Sequence, residues 1–183
     1  MKFLRNKIVM PVLAVAVMAA CKKMELTSEG KNSNEFDASG KYWLFDSQVD
    51  SIGKKIGVNV PAGAVNYTSY LEFYQYKLNN ANAVDSFVIN SPVSDINLLI
   101  SDGQDLLVPA TIALPFYFSP DFSADSGYFP YRVTAESYSD IMAVLNDESN
   151  WEKITAFTVN DSTEHLLFNT TNLQGIYVIA RKK

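Results

Sequence analysis

The chain has one cysteine and one histidine in 183 residues. A single cysteine excludes an intramolecular disulfide. It also excludes a zinc site built on several thiolates. A single histidine, His165, leaves no second imidazole for a metal cluster. Gly-rich phosphate loops of the Walker or dinucleotide type are missing. So is any basic excess. The formal charge is −5, and residues 1–20 hold Lys2, Arg5 and Lys7 with no acid. Without that segment 12 bases face 20 acids, a balance of −8. Phosphate binding needs clustered Lys and Arg, so the charge argues against nucleic acid as a partner. The short clusters at Lys22–Lys23, Lys54–Lys55 and Arg181–Lys183 read as solvated surface or chain ends. What the chain does have is apolar and aromatic mass. Hydrophobic residues make up 48%, with ten Tyr and eleven Phe. That is enough to bury a core, and the length fits one domain with an appendage.

The N-terminus reads as a targeting segment. MKFLRNK is basic, and Ile8–Ala20 is an apolar run of 13 residues interrupted by Pro11. A bilayer span takes about 20 residues. The pattern is that of a secretory signal peptide, residues 1–20, set aside for fold purposes. Met18-Ala19-Ala20 then leads directly into Cys21. This resembles the lipobox of bacterial lipoproteins, in which small residues precede a cysteine; Leu is commoner than Met at the first of these positions. The resemblance implies cleavage before Cys21, a diacylglyceryl group on its thiol and acylation of its new amine. Two or three chains make a stable anchor, at about 0.8 kcal/mol per buried CH₂. Lys22 stands where Asp would favour inner-membrane retention, which implies the outer membrane. CKKMEL also lacks the run of acids seen in surface-export tethers, so a periplasm-facing protein is expected.

Residues 22–40 are polar, rich in Ser, Asn, Gly and charge, and show no strand or helix period. They predict a flexible tether, with Cys21 at its head, spanning roughly 25 Å as a coil. From Lys41 to Lys183 the chain reads as one domain of strands. Ile56, Val58 and Val60 alternate with other residues. Leu71 and Phe73 share one face of TSYLEFYQYKL, with Tyr70, Glu72, Tyr74 and Tyr76 on the other. VPATIALPFYF alternates from Val108 to Phe118. ITAFTV, HLLFN and GIYVIA repeat the pattern. Turn signals separate these runs, among them Pro61-Ala62-Gly63 and Asn160-Asp161-Ser162. The expectation is an all-β fold, an antiparallel β-sandwich. Asp140–Leu145 is ambiguous with a helix and is read as a strand. Pro109 and Pro115 bracket a strand and predict an edge position or a bulge.

Three segments carry a family resemblance: VNVPAGAV (58–65), INSPVSDINLLISDGQDLLVPATIALPF (89–116) and NWEKITAFTVNDSTEHLLFNTTNLQGIYVIA (150–180). Their order and spacing resemble the ZU-five domain of ankyrins, zonula occludens protein and Unc-five netrin receptors. The resemblance covers most of residues 50–181 and implies a sandwich used for binding. Some relatives cleave themselves at a His-Phe-Ser site on the closing strand. The matching region, Thr171–Tyr177, has neither His nor Ser, and that acyl shift needs a nucleophile and a base. No autoproteolysis is expected.

Other chemistry is thin. Ser162, Glu164 and His165 stand close in sequence, but on a strand His165 points away from the other two. Loop acids Asp121, Asp125, Asp147 and Glu148 match no EF-hand spacing. No enzyme, metal or cofactor is expected. The tyrosines remain as a candidate binding face: Tyr70, Tyr74 and Tyr76 on one strand, then Tyr117, Tyr128 and Tyr131. Exposed, they would stack on sugar rings or anchor a protein. Covered, they would close the second face of a small sandwich. The expected function is therefore a non-enzymatic binding or scaffold module, held in the bacterial envelope by lipid on Cys21. Its partner would be an envelope protein, or alternatively a glycan bound to the tyrosine face.

Overall fold

A strand that buries every second side chain needs another layer to bury them against. The computed structural model describes residues 35–46, 54–78, 82–99, 105–117 and 127–183. Their strands form two antiparallel sheets. The first runs in the order β1 (Glu35–Phe36), β4 (Ser69–Tyr76), β6 (Val93–Leu99), β12 (Gln174–Lys182), β8 (Tyr128–Val133) and β9 (Trp151–Lys153). β5 (Phe87–Ile89) joins this sheet beside the C-terminal half of β12. The second sheet runs β10 (Phe157–Asn160), β11 (His165–Thr170), β7 (Ala110–Pro115), β3 (Lys55–Val60) and β2 (Lys41–Asp46). The expected all-β sandwich is what the chain forms.

The alternation seen in sequence sets the inner layer. Trp43, Phe45, Ile56, Val58, Ile112, Leu114, Leu166 and Phe168 come from the five-stranded sheet. Leu71, Phe73, Ile96, Leu98, Tyr177 and Ile179 meet them from the seven-stranded one. Phe45 stacks on Phe73 across the gap, with ring centres 3.9 Å apart and planes 2° apart. Phe36 packs edge-on against Trp43 at 5.2 Å. Glu35 and Phe36, inside the segment that the sequence reads as a tether, pair with β4, and Phe36 is buried. Gly63 takes the positive φ of 78° that its turn needs.

A second core lies on the outer face of the seven-stranded sheet. Val93, Tyr131, Val133, Ile176 and Val178 supply its floor. Its roof includes helix α1 (Ile141–Asn146), where a strand was expected. Asp140 decides the difference. Its carboxylate accepts from the Met142 and Ala143 N–H groups, both at 3.1 Å, and so caps a first turn. Ile141, Val144 and Leu145 then share one face at helical spacing, turned to the sheet. Trp151 locks the far end. Its Nε1 donates to the Leu145 carbonyl at 3.0 Å, and its ring stacks on Phe87 at 3.8 Å.

Proline placement also differs from expectation. β7 is no edge strand; it lies between β11 and β3. Pro109 stands just before the strand and Pro115 is its last residue. Pro115 pairs with His165 at the end rung of the β7–β11 ladder, and both prolines lie beyond the rungs that β7 makes with β3. Between β5 and β6 the chain breaks step at Asn90-Ser91-Pro92. There the Ser91 hydroxyl accepts from the Ile179 N–H at 2.7 Å.

Candidate functional site

Cys21 and the signal segment lie outside the described residues, as do Asp121 and Asp125. The six tyrosines do not form one face. Tyr128 and Tyr131 sit three apart on β8 and point to opposite sides. Tyr128, 5% exposed, enters the inner core, and Tyr131, 8% exposed, enters the outer one. Both are removed from the candidate face by burial. Tyr74 and Tyr76 are half-buried on the outer side of β4, and Tyr117 is half-buried after β7. Tyr76 donates to the Asp95 carboxylate at 3.1 Å. Asn97 donates to the other Asp95 oxygen at 2.8 Å. Burial holds the Asp95 carboxyl above the usual carboxylate range; the Tyr76 and Asn97 bonds oppose this and the Glu72 charge adds to it. Tyr70 alone of the six is well exposed, at 47%. So these side chains mainly close the outer face of the sheet.

His165 makes a structural bond. Its Nε2 lies 2.6 Å from the Lys55 carbonyl oxygen and its Nδ1 2.5 Å from that of Thr163. The reason lies in the register. Gly57 pairs with Ala113, so two residues further along Lys55 stands against Pro115, which has no N–H to offer. His165 is opposite Pro115 on the other side and reaches across it to Lys55. Ser162 is turned to the Asn160 side chain at 2.7 Å, and Glu164 pairs with Lys54 at 2.6 Å. The three residues do not converge as nucleophile, base and orienting acid.

The two sheets differ on their outer faces. That of the five-stranded sheet has no helix over it among the described residues. Register places Leu44, Gly57, Ala113, Leu167 and Thr158 in one row across it. Tyr42 leans over Gly57: a Cβ there would stand 3.2 Å from the Tyr42 hydroxyl and from the Ala113 methyl. The result is an apolar strip. Tyr42 is 56% exposed and Leu44 39%, with Ala113 and Leu167 half-buried. The sequence carried a weak signal for it, since Leu44 and Leu167 are apolar at outward positions of alternating strands.

A cleft of about 450 Å³ opens where the two sheets part, at the β11–β12 turn. Arg132 on β8 and Glu152 on β9 face each other in register and form an ion pair at 2.6 Å. Tyr177 on β12 is fully buried, and its hydroxyl donates to the Asn172 carbonyl at 2.6 Å. Burial pushes its phenol far above the usual range, against the pull of the Arg132 charge, so it stays a neutral donor. Thr170 closes the turn, donating to the Asn172 carbonyl at 2.9 Å and accepting from the Asn172 N–H at 3.1 Å. Sequence reading missed this cleft, because its residues come from four separate segments.

No family model matches the chain, and a comparison with curated proteins finds no similar one. Among the described residues no three His, Cys, Asp or Glu side chains gather to hold a metal ion. Asp147 caps the turn at Ser149, and Glu148 pairs with Lys182 at 2.5 Å. No helix among the described residues is long and apolar enough to cross a membrane.

Proposed function

We propose that this chain is a non-enzymatic binding or scaffold module, a ZU-five-like sandwich anchored by lipid on Cys21 in a bacterial outer membrane and facing the periplasm. The observation that carries the binding half is the strip Tyr42-Leu44-Gly57-Ala113-Leu167. One outer face of the sandwich is packed under α1, while the other presents apolar side chains to solvent. Exposed aromatic and aliphatic side chains on a sheet face suit protein docking. The anchoring half rests on Cys21, its small preceding residues and the basic–apolar leader.

Membrane fractionation tests the anchor. The wild-type chain is expected in the membrane fraction and Cys21→Ser in the soluble envelope fraction. A Cys21→Ser chain that stays membrane-bound would refute the anchor. The glycan reading through the tyrosine face has less support, because Tyr128 and Tyr131 are buried and Tyr76 is engaged with Asp95.

A further inference from the structure

We infer that the cleft at the β11–β12 turn is a binding site for a neutral polyhydroxyl ligand, a saccharide of one or two rings. The argument starts from two side-chain atoms that end in its walls. Arg132 Nε and Asn172 Oδ1 are both closed to solvent and neither has a hydrogen-bond partner. One is a donor and the other an acceptor. Buried polar groups are almost always paired, and an unpaired one costs free energy. Both side chains line the same cleft. A hydroxyl group accepts from one and donates to the other.

Charge selects against an ion. The Arg132 guanidinium is already paired with Glu152 at 2.6 Å. Lys153 is held 3.2 Å over the Phe129 ring. Asp105 adds a further acid to the rim. Among the described residues of the lining, a phosphate or sulfate would meet cations that already have a partner, and no three carboxylates gather for a metal ion. Planar hydrogen-bonding groups remain. Asn169 Oδ1 accepts from the Thr111 hydroxyl at 2.8 Å, and its amide N–H₂ is the donor it offers a guest. Guanidinium, carboxylate and amide planes match neighbouring ring hydroxyls two at a time. Ile154 adds an apolar wall for the C–H face of a ring. The volume lies in the range of small-molecule sites.

This site shares none of the strip residues Tyr42, Leu44, Gly57, Ala113 and Leu167, so it stands or falls apart from protein docking. The test is an NMR titration of the ¹⁵N-labelled full chain in detergent micelles. The probes are cellobiose, N,N′-diacetylchitobiose and sodium sulfate. Either disaccharide is expected to shift the Thr170 and Asn172 amide signals and the Arg132 Nε–H signal in a saturable way, with sulfate leaving them in place. Asn172→Ala is expected to weaken binding about tenfold or more. Should that variant fail to fold, Asn169→Ala, at an exposed position, is expected to weaken it measurably. The inference is overturned if neither disaccharide shifts these signals, if the shifts map elsewhere, if sulfate alone produces them, or if a folded Asn172→Ala binds as tightly as the wild type.

Discussion

The single histidine spans a gap left by a proline. Pro115 ends β7 without an N–H, and the His165 ring reaches across the strand to the Lys55 carbonyl. Truncating it to alanine removes the contact with that carbonyl. His165→Ala is therefore expected to lower stability by about 1 kcal/mol, read as a fall in the urea midpoint. An unchanged midpoint would mean that water replaces the ring at no cost. Asp95 gives a prediction with a sign. Its folded-state pKa is raised by burial. The folded chain thus keeps this proton to higher pH than the unfolded chain does. Stability from this group is full below the ordinary carboxylate value and is lost as pH rises through the raised one. Asp95→Asn cannot ionise, so it is expected to be more stable than wild type at neutral pH and to lose that advantage in acid. Urea midpoints across pH 3–8 check this; a variant less stable than wild type at neutral pH contradicts it.

Among the elements, strands were legible and their neighbours were not. Period-2 runs such as Ile56-Val58-Val60 mark which side chains go inward, whatever the pairing. They say nothing of which strand lies alongside. That is why the prolines misled: β7 is central, and its prolines work because they sit at the strand ends. The helix was missed for a different reason. Ile141 to Leu145 is too short a run for period to separate helix from strand, and the deciding feature is the cap at Asp140. Trp151 covers the end of the outer core while its N–H finds a partner. It holds the α1 C-terminus, Phe87 and Tyr131 together. Trp151→Ala is expected to cost about 3 kcal/mol and to loosen the helix, seen as faster hydrogen exchange at Val144 and Leu145. Equal exchange in both proteins would show that the helix docks without it.

At the scale of the whole molecule, the sandwich was legible because so many strands shared one pattern. The candidate site was not. Tyr70, Tyr74 and Tyr76 did share a strand face, but Tyr128 and Tyr131 were drawn into two cores by neighbours far away in sequence. The cleft joins β8, β9, β11 and β12, and no local pattern announces such a meeting. What emerges is an asymmetric sandwich, one outer face roofed by a helix and the other offering Tyr42, Leu44 and Leu167. We propose that this second face docks a partner while lipid holds the chain at the membrane.

Site-specific photo-crosslinking in intact cells tests that most directly, with the crosslinker placed in turn at Leu44, Leu167 and, as a control on the helix side, Asp140. One adduct of the same mass is expected from Leu44 and Leu167, none from Asp140, and loss of the adduct in a Cys21→Ser background. The same adducts from all three positions, or none from Leu44 and Leu167, would contradict it.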